Sequence, residues 1–261
     1  MTGPVGDETG PICAAAGRAN RAVRNDRQSR KRAFISTDSC HYIALMLKVM
    51  IAPVTPFQQN CSIVWDDETM EGTAVDPGGD FDLLRQEIDN QGIKITKVLL
   101  THGHVDHASA AGTMAEHYGV KIEGPHRDEL FLIERLPESG RKYKFPAYKP
   151  FVPDRWLENG DTVSLGSLTL DVVHCPGHTP GHVVFVHQPS KIAFVGDVLF
   201  RGSVGRTDGP RGSHEQLVES IRQRLWPFGD DTQFVPGHGQ TSTFGWERKT
   251  NPYVADLLFD D

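Results

Sequence analysis

The chain has 261 residues, of which 38% are hydrophobic and 23% are charged, and its formal net charge is −7. This length suits one large domain, and the composition is ordinary for a soluble enzyme. The negative net charge argues against a general affinity for nucleic acid or for anionic membrane surfaces, so we expect neither as a partner.

The first 40 residues differ in composition from the rest of the chain. They are rich in arginine, glycine and small side chains, with little apolar periodicity. We predict a disordered N-terminal extension over residues 1–40, or a translation start assigned upstream of the true start at Met46 or Met50. An organelle transit peptide is the alternative, which Asp7 and Glu8 weaken because such peptides contain few acidic residues.

The cysteines and the most apolar stretch indicate the cellular compartment. No secretory h-region precedes the core, and residues 42–54 are too short, and interrupted by Lys48, to span a membrane. We therefore expect a cytoplasmic protein without a disulfide framework. The cysteines are scattered without Cys-x-x-Cys spacing: Cys13, Cys40, Cys61 and Cys175.

A single domain is expected over residues 44–261, with strands predicted from apolar runs and helices from 3.6-residue periodicity. In its first half we predict strands at 44–53, 61–66, 73–76 and 97–101. We predict three helices there. The first is capped by Asp80 and ends near Gly92, the second spans 108–118, and the third is a short helix near 128–136 within a loop region.

The second half of the domain returns to strands. We predict strands at 162–165, 168–174, 182–187, 191–195 and 233–235, and one helix over 213–226. Strand-rich stretches with intervening helices thus occur in both halves. The pattern predicts an α/β fold of four layers, αββα, in which two sheets pack face to face with helices outside.

The strongest chemical signal is a loop that follows a predicted buried strand and reads Thr-His-Gly-His-Val-Asp-His over residues 101–107. Alternation in an extended loop sends His102 and His104 to one side, while Asp106 and His107 begin the next turn and can face a second ion. Imidazole and carboxylate suit Zn, Mn or Fe. Three histidines and an aspartate at this spacing argue against a chance histidine-rich turn.

Three further ligand-type residues follow other predicted strands. His178 and His238 each come after a strand and a Pro-Gly turn, and Asp197 follows a strand that ends in Val-Gly. Glycine before each of them lets the backbone turn sharply toward an ion. Each signal is weak alone, but together with the histidine-rich loop they predict a centre for two metal ions.

The complete set of ligand-type residues resembles, in this order, that of the metallo-β-lactamase superfamily, and the resemblance runs from about Met46 to the C-terminus. It implies a four-layer αββα sandwich and two divalent ions per chain, with Zn expected and Fe or Mn as alternatives. The resemblance implies that His102, His104 and His178 bind the first ion. It implies that Asp106, His107 and His238 bind the second ion, and that Asp197 bridges both.

The resemblance also implies a hydrolytic mechanism. Two dications lower the pKa of a bound water to about 7, so that a bridging hydroxide can attack a carbonyl carbon. Asp106 would bind the second ion and orient this nucleophile. A thiolate leaving group would need no strong general acid, so no further acid–base pair is required.

Branch-specific residues narrow the activity. Asp197 argues against true β-lactamases, which characteristically have Cys or Ser there, and His104 in place of Glu argues against flavodiiron proteins. What remains resembles the short form of the glyoxalase II group, which implies hydrolysis of a small thioester such as S-D-lactoylglutathione. The stretches that carry this resemblance are 76–79, 175–182, 205–208 and 247–252.

The chain departs from full-length glyoxalase II in its substrate contacts. The C-terminal helical domain is not expected after residue 252, and a glutathione-contacting Lys and Tyr fall near Arg206 and Asp208. Arg206 is therefore a candidate for pairing with a substrate carboxylate, with an Arg206–Asp208 salt bridge as an equal alternative. The basic run 141–144 is more simply a solvated loop, although Lys142 and Tyr143 are candidates for contact with an anionic thiol carrier.

Two other functions are compatible with this fold. An iron-dependent persulfide dioxygenase shares the Gly-Arg-Thr-Asp stretch, but the Pro-Gly-His-Gly turn at His238 favours a short glyoxalase. A non-catalytic metal-binding scaffold is disfavoured because all seven ligand-type residues are intact. His182, four residues after His178, is expected to support the site from outside the ligand set. The sequence does not determine the oligomeric state.

Overall fold

The computed structural model describes residues 47–146 and 149–259. The extension predicted over residues 1–40 lies outside this part of the chain, as do residues 44–46 of the first predicted strand. Among the described residues, no helix combines the length and the apolar character that crossing a bilayer requires.

Five strands form the first sheet, in the order β1-β2-β3-β4-β5. The first three are antiparallel neighbours, whereas β3–β4 and β4–β5 are parallel pairs. Every residue of β2 is buried, as expected for a central strand that is covered on both faces. The strands are β1 (Leu47–Val54), β2 (Gln59–Asp66), β3 (Glu71–Val75), β4 (Lys94–Leu99) and β5 (Lys121–Glu123).

The second half of the chain forms a six-stranded sheet and a small separate hairpin. Its strands are β6 (Thr162–Leu165), β7 (Leu168–His174), β8 (Val183–His187), β9 (Ile192–Gly196), β10 (Leu199–Phe200), β11 (Ser203–Val204), β12 (Gln233–Pro236) and β13 (Ser242–Thr243). The sheet order is β13-β12-β9-β8-β7-β6, and β10 pairs only with β11. Within the sheet only β9 and β12 are parallel neighbours.

Helices cover the outer faces of both sheets. The α-helices are α1 (Phe81–Gln91), α2 (Val105–Ala108), α3 (Ala111–Tyr118), α4 (Leu130–Ile133), α5 (Leu136–Tyr143), α6 (His214–Ser220) and α7 (Phe244–Thr250). A π-helical turn over Ile221–Leu225 extends α6. The 3-10 turns lie at Arg127–Glu129, Gln188–Ser190, Trp226–Phe228 and Asp256–Leu258.

Three clusters of buried side chains correspond to the three interfaces of a four-layer sandwich. Val64 and Phe185 belong to the cluster between the two sheets. Leu84 of α1 packs with side chains of the first sheet, and Leu217 of α6 packs with Phe234 of the second sheet. The αββα arrangement predicted from the sequence is therefore confirmed.

The helix predicted after Asp80 is present and Asp80 occupies its N-cap position, but the side chain does not cap the helix. Asp80 adopts a left-handed conformation with φ of 47°, and its side chain makes no capping hydrogen bond. The carboxylate instead accepts a 2.8 Å hydrogen bond from the N–H of Thr55. The left-handed backbone turns this side chain away from the first turn of α1 and toward the β1–β2 turn.

The helix predicted over 108–118 corresponds to α3, which begins at Ala111, and a separate short helix, α2, precedes it. The N–H of Ala110 donates to the carbonyl of Pro77 at 3.0 Å, which interrupts the helical hydrogen-bond pattern between them. The region 124–156 contains more helix than predicted, since α4 and α5 both lie in it. Short elements that the sequence pattern did not reveal are β5, β10, β11, β13 and α7.

The strand directions place the ligand-bearing turns at one edge of the second sheet. Strand β8 is antiparallel to both β7 and β9, so β7 and β9 point the same way, and β12 is parallel to β9. Their carboxyl ends precede His178, Asp197 and His238. The loop after β4 joins this edge through a 2.8 Å hydrogen bond from the N–H of Val183 to the carbonyl of Thr101.

Candidate metal centre

The histidine-rich loop leaves β4 in an extended conformation and then turns into α2. His104 has φ of −68° and ψ of 150°, and α2 begins at the next residue. His102 and His104 thus lie on the extended part, while Asp106 and His107 lie in the first helical turn, as the sequence predicts. Among the described residues, three groups have ligand-type atoms within 4.8 Å of one another: His102, His104 and His178; Asp106, His107 and His238; and Asp76, His102 and His107.

The three-histidine group is closely packed around one point. Nδ1 of His104 lies 3.0 Å from Nε2 of His102 and 3.0 Å from Nε2 of His178. A tetrahedral ion bound by nitrogen atoms at about 2.0–2.1 Å would separate those nitrogen atoms by about 3.3 Å. The spacing therefore fits a single ion with these three rings as ligands.

The second group is more open and contains a carboxylate. Nε2 of His238 lies 3.2 Å from Oδ2 of Asp106, and Nε2 of His107 lies 3.9 Å from the same oxygen. The side chains of Asp106 and His238 retain 18% and 30% exposure, whereas His107 is fully buried. The centre is thus accessible from the side of Asp106 and His238.

Asp197 lies between the two groups, with one oxygen toward each. Its Oδ1 is 3.3 Å from Nε2 of His107, and its Oδ2 is 3.6 Å from Nε2 of His178. Among the described residues, the buried Nε2 of His107 and Oδ1 of Asp197 have no hydrogen-bond partner. Buried polar atoms normally have a hydrogen-bond partner. A buried nitrogen and a buried carboxylate oxygen that both lack one, and that lie beside each other, fit a bound divalent cation.

Backbone carbonyls fix the tautomers of two of the rings. Nδ1 of His178 lies 2.7 Å from the carbonyl of Arg206, and Nδ1 of His238 lies 3.1 Å from the carbonyl of Phe57. A carbonyl oxygen only accepts, so each Nδ1 carries the proton and donates it. The Nε2 lone pair of each neutral ring then faces the centre, which is the form that binds a metal ion.

Asp76 fixes one ring in each group. Its carboxylate accepts hydrogen bonds from the N–H and the hydroxyl of Thr101, at 2.7 and 2.6 Å, and lies 2.9 Å from Nδ1 of His107. The Thr101 oxygen lies 3.0 Å from Nδ1 of His102 and can accept from that ring. Local sequence signals predict no role for this carboxylate, although residues 76–79 carry part of the resemblance to the short glyoxalases.

Burial favours the neutral form of the rings in the three-histidine group. Burial, reinforced by the neighbouring His107, holds the pKa of His102 well below its usual value. Burial also lowers the pKa of His104, with His178 adding to the effect. The pKa of His178 is lowered by burial as well, although the Asp197 carboxylate opposes this. These rings are available as neutral ligands at neutral pH.

Carboxylates reverse this balance in the second group. Burial acts to lower the pKa of His107, but the carboxylates of Asp197 and Asp106 raise it well above its usual value. The pKa of His238 is likewise raised, because Asp106 and Asp197 outweigh the effect of burial. Burial acts to raise the pKa of Asp197, but His107 holds it well below the usual range.

Two further side chains hold the loops that carry the ligand-type residues. His182 stacks on His102, with ring centroids 4.6 Å apart, and its Nε2 accepts from the N–H of Asp197 at 3.1 Å. Glu129 is fully buried and accepts from the N–H groups of Gly103 and Gly181. The sequence predicts a supporting place for His182 but no role for Glu129, which lies in the short helix expected near 128–136.

The candidate substrate residues lie in two places: Lys142 and Tyr143 lie near Phe57, and Arg206 lies beside His178. The ring of Tyr143 is 5.9 Å from that of Phe57, whose carbonyl holds His238, and Nζ of Lys142 is 5.0 Å from the Tyr143 ring. The backbone of Arg206 holds His178, while its exposed guanidinium lies 3.9 Å from the Asp208 carboxylate. Both side chains of this long contact are exposed to solvent.

Comparisons with known proteins agree with this geometry. A model described as the metallo-beta-lactamase superfamily matches residues 54–238. Hydroxyacylglutathione hydrolase GloC of Haemophilus influenzae is 44% identical over 209 residues, which are 80% of this chain and 98% of that protein.

Two solved structures are similar over most of the chain. The B3 metallo-beta-lactamase BLEG-1 has a TM-score of 0.73 and 32% identity, and the match covers 80% of this chain and 99% of that one. TTHA1623 in a di-iron-bound form has a TM-score of 0.71 and 35% identity, covering 78% of this chain and 100% of that one. The chain belongs to the metallo-beta-lactamase superfamily.

Proposed function

We propose that the protein is a metal-dependent thioester hydrolase whose substrate is S-D-lactoylglutathione or a similar hydroxyacyl thioester. The observation that carries this proposal is the convergence of five imidazoles and two carboxylates, with one nitrogen of each ring directed at a shared centre. The 44% identity to a hydroxyacylglutathione hydrolase supports the substrate class. That the chain is a hydrolase follows from the same relative and from the superfamily.

The ligand assignment gives each half of the centre its own ion. When bound, two divalent ions supply a nucleophilic water at neutral pH and polarise the substrate carbonyl. Zn suits these nitrogen and oxygen donors, although the di-iron neighbour makes Fe an alternative to test. We assign His102, His104 and His178 to the first ion. We assign Asp106, His107 and His238 to the second ion, and Asp197 would bridge the two.

Within this centre, Asp106 is the residue to which we assign the catalytic role. Its carboxylate lies beside Nε2 of His238 at the accessible side of the site, where an incoming substrate and a water would meet. The carboxylate can therefore accept a hydrogen bond from the attacking water and orient its lone pair toward the thioester carbonyl. A departing thiolate is stable as an anion, so the chain needs no separate acid to protonate it.

Substrate recognition is assigned to side chains at the same open side. Tyr143 and Phe57 present half-exposed aromatic rings, against which the peptide part of a thiol carrier can pack. Lys142 and Arg206 add positive charge, which complements the carboxylates of glutathione. We further propose that residues 44–261 form one catalytic domain and that it works in the cytoplasm, since Cys61 and Cys175 are both free thiols.

The test follows thioester loss from S-D-lactoylglutathione by ultraviolet absorbance, with and without a chelator. We expect chelator-sensitive turnover above roughly 1 per second, abolished in Asp106→Ala. Matched assays measure hydrolysis of a chromogenic β-lactam and oxygen uptake with glutathione persulfide. Hydrolysis of the β-lactam or consumption of oxygen, without thioester hydrolysis by the metal-loaded protein, would overturn the proposal.

A further inference from the structure

Glu129 is a buried carboxylate outside the set of ligand-type residues. Its side chain is fully buried at the end of a 3-10 turn, Arg127–Glu129. Oε2 accepts a 2.8 Å hydrogen bond from the N–H of Gly103, and Oε1 accepts a 2.8 Å hydrogen bond from the N–H of Gly181. One carboxylate thus joins two backbone segments that are far apart in sequence.

These two segments carry the three-histidine group. Gly103 lies between His102 and His104, and Gly181 lies three residues after His178. Without Glu129, both N–H groups would be buried and unpaired, and an unpaired buried donor destabilises the arrangement that holds it. The carboxylate therefore sets the separation of the segments whose rings must converge on one ion.

Steric contacts show that both glycines are packed against the Glu129 turn and α4. A Cβ atom at Gly181 would lie 2.8 Å from Cγ and 2.9 Å from the backbone nitrogen of Glu129. A Cβ atom at Gly103 would lie 2.9 Å from Cβ of Leu132. Both glycines are thus closely packed against the segment that also accepts their N–H groups, which leaves little room for either to move toward Glu129.

We propose that Glu129 is a positioning residue that holds the three-histidine group in its metal-binding geometry. This inference rests on the ligand assignment under the proposed function. Nδ1 of His104, on one segment, lies 3.0 Å from Nε2 of His178, on the other, and the three ring nitrogens lie within 4.8 Å of one another. Loss of the carboxylate would loosen this arrangement, and residues that orient metal ligands typically change affinity by about 10–100-fold when mutated.

The variant Glu129→Gln keeps the size of the side chain but replaces one acceptor oxygen with an N–H donor. The matched control is Asp66→Asn, which alters another fully buried carboxylate that accepts backbone N–H groups, those of Glu68 and Ser167. Asp66 is the last residue of β2, whereas Gln59, which forms a β-bridge with His238, is the first, so the length of the strand separates Asp66 from the centre. The control therefore has a similar chemical change remote from the centre.

Zinc affinity is measured by competition with a chromophoric chelator, together with thermal unfolding of the metal-free proteins. Both substitutions are placed in the full chain and also in a His238→Ala background, where only the three-histidine group keeps all its ligands. We expect both to lower the unfolding temperature, and only Glu129→Gln to weaken zinc binding, by about 10–100-fold in the His238→Ala background.

Unchanged zinc affinity of a folded Glu129→Gln protein would overturn the inference, as would an equal loss in Asp66→Asn. If Glu129→Gln does not fold, Glu129→Asp decides instead. It keeps both acceptor oxygens but is one methylene too short to reach both glycines, so we expect a smaller loss of affinity in the same direction. Failure of the unsubstituted protein to bind zinc would instead count against the proposed function.

Discussion

Oδ2 of Asp76 lies 2.9 Å from Nδ1 of His107, and the same oxygen accepts a hydrogen bond from the hydroxyl of Thr101. Because Thr101 in turn contacts Nδ1 of His102, a single buried carboxylate orients one ring in each half of the centre. Asp76 lies in the turn after β3, and Thr101 follows β4, so the parallel pairing of these strands brings the two residues together.

Replacing Asp76 should therefore weaken both halves of the centre. In Asp76→Asn one of the two acceptor oxygens becomes an NH2 donor. It would face either the N–H of Thr101, or the Thr101 hydroxyl and Nδ1–H of His107, so we expect zinc affinity to fall by about 10–100-fold in both binding steps. Competition with a chelator measures this loss. Asp80→Asn is the control, since that nearby carboxylate contacts the N–H of Thr55 in the β1–β2 turn. Wild-type affinity in Asp76→Asn would contradict the prediction.

Metal binding should release protons from one half of the centre only. His107 and His238 have raised pKa values in the metal-free protein and hold protons near pH 6.5, whereas His102, His104 and His178 have lowered values and are neutral there. Since a metal ion displaces bound protons, the affinity of the second group should fall as the pH is lowered, and that of the three-histidine group should change little.

Calorimetry in buffers of different ionisation enthalpy counts the protons released in each binding step. At pH 6.5 we expect release on filling the second group and almost none on filling the three-histidine group. The His238→Ala variant isolates the latter group as a control. Equal proton release in both steps would show that the electrostatic asymmetry between the two halves is wrong.

The two interpretations of Arg206 predict different kinetics. If its guanidinium meets a substrate carboxylate, Arg206→Ala should raise KM for S-D-lactoylglutathione about tenfold, which corresponds to about 1.4 kcal/mol, with kcat unchanged. Asp208→Ala should then leave KM unchanged or lower it. If the Arg206–Asp208 contact only shapes the loop, the two variants should behave alike. Steady-state kinetics of both variants distinguish these outcomes.

Tyr143 offers a test of the aromatic surface beside His238. Its ring packs against Phe57 at 5.9 Å and is half-exposed, so we expect recognition to depend on the ring rather than on the hydroxyl. Tyr143→Ala should raise KM for the glutathione thioester several-fold, while Tyr143→Phe should match the wild type. A small thioester without a peptide carrier serves as the control substrate, and an equal effect on it would refute a contact with the carrier.

Local patterns in the sequence were sufficient to predict the residues of the candidate centre. The loop from His102 to His107 and the residues that follow glycine at strand ends are short-range signals. These residues come together because β4 of the first sheet and β7, β9 and β12 of the second sheet end at the same edge of the sandwich. The four-layer arrangement followed from the repeated strand and helix pattern. Such signals lie within a few residues, where propensity and periodicity operate.

Apart from the supporting place of His182, the contacts that hold the ligand-bearing loops were not predictable, because they join residues distant in sequence. Glu129 meets Gly103 and Gly181 across 26 and 52 positions, and no local pattern distinguishes it from a solvated glutamate. The expected cap at Asp80 failed for the opposite reason. A strong local preference was overridden by the left-handed backbone after Gly78 and Gly79 and by the N–H of Thr55.

The segments of the three-histidine group come from different sheets of the sandwich. His102 and His104 follow β4 of the first sheet, whereas His178 follows β7 of the second. An ion held by all three would act as a cross-link between the two halves of the chain, in the manner of a disulfide that a chelator can reverse. Resistance to proteolysis and to denaturants would then depend on metal supply, and a cell short of metal would lose the protein as well as its activity.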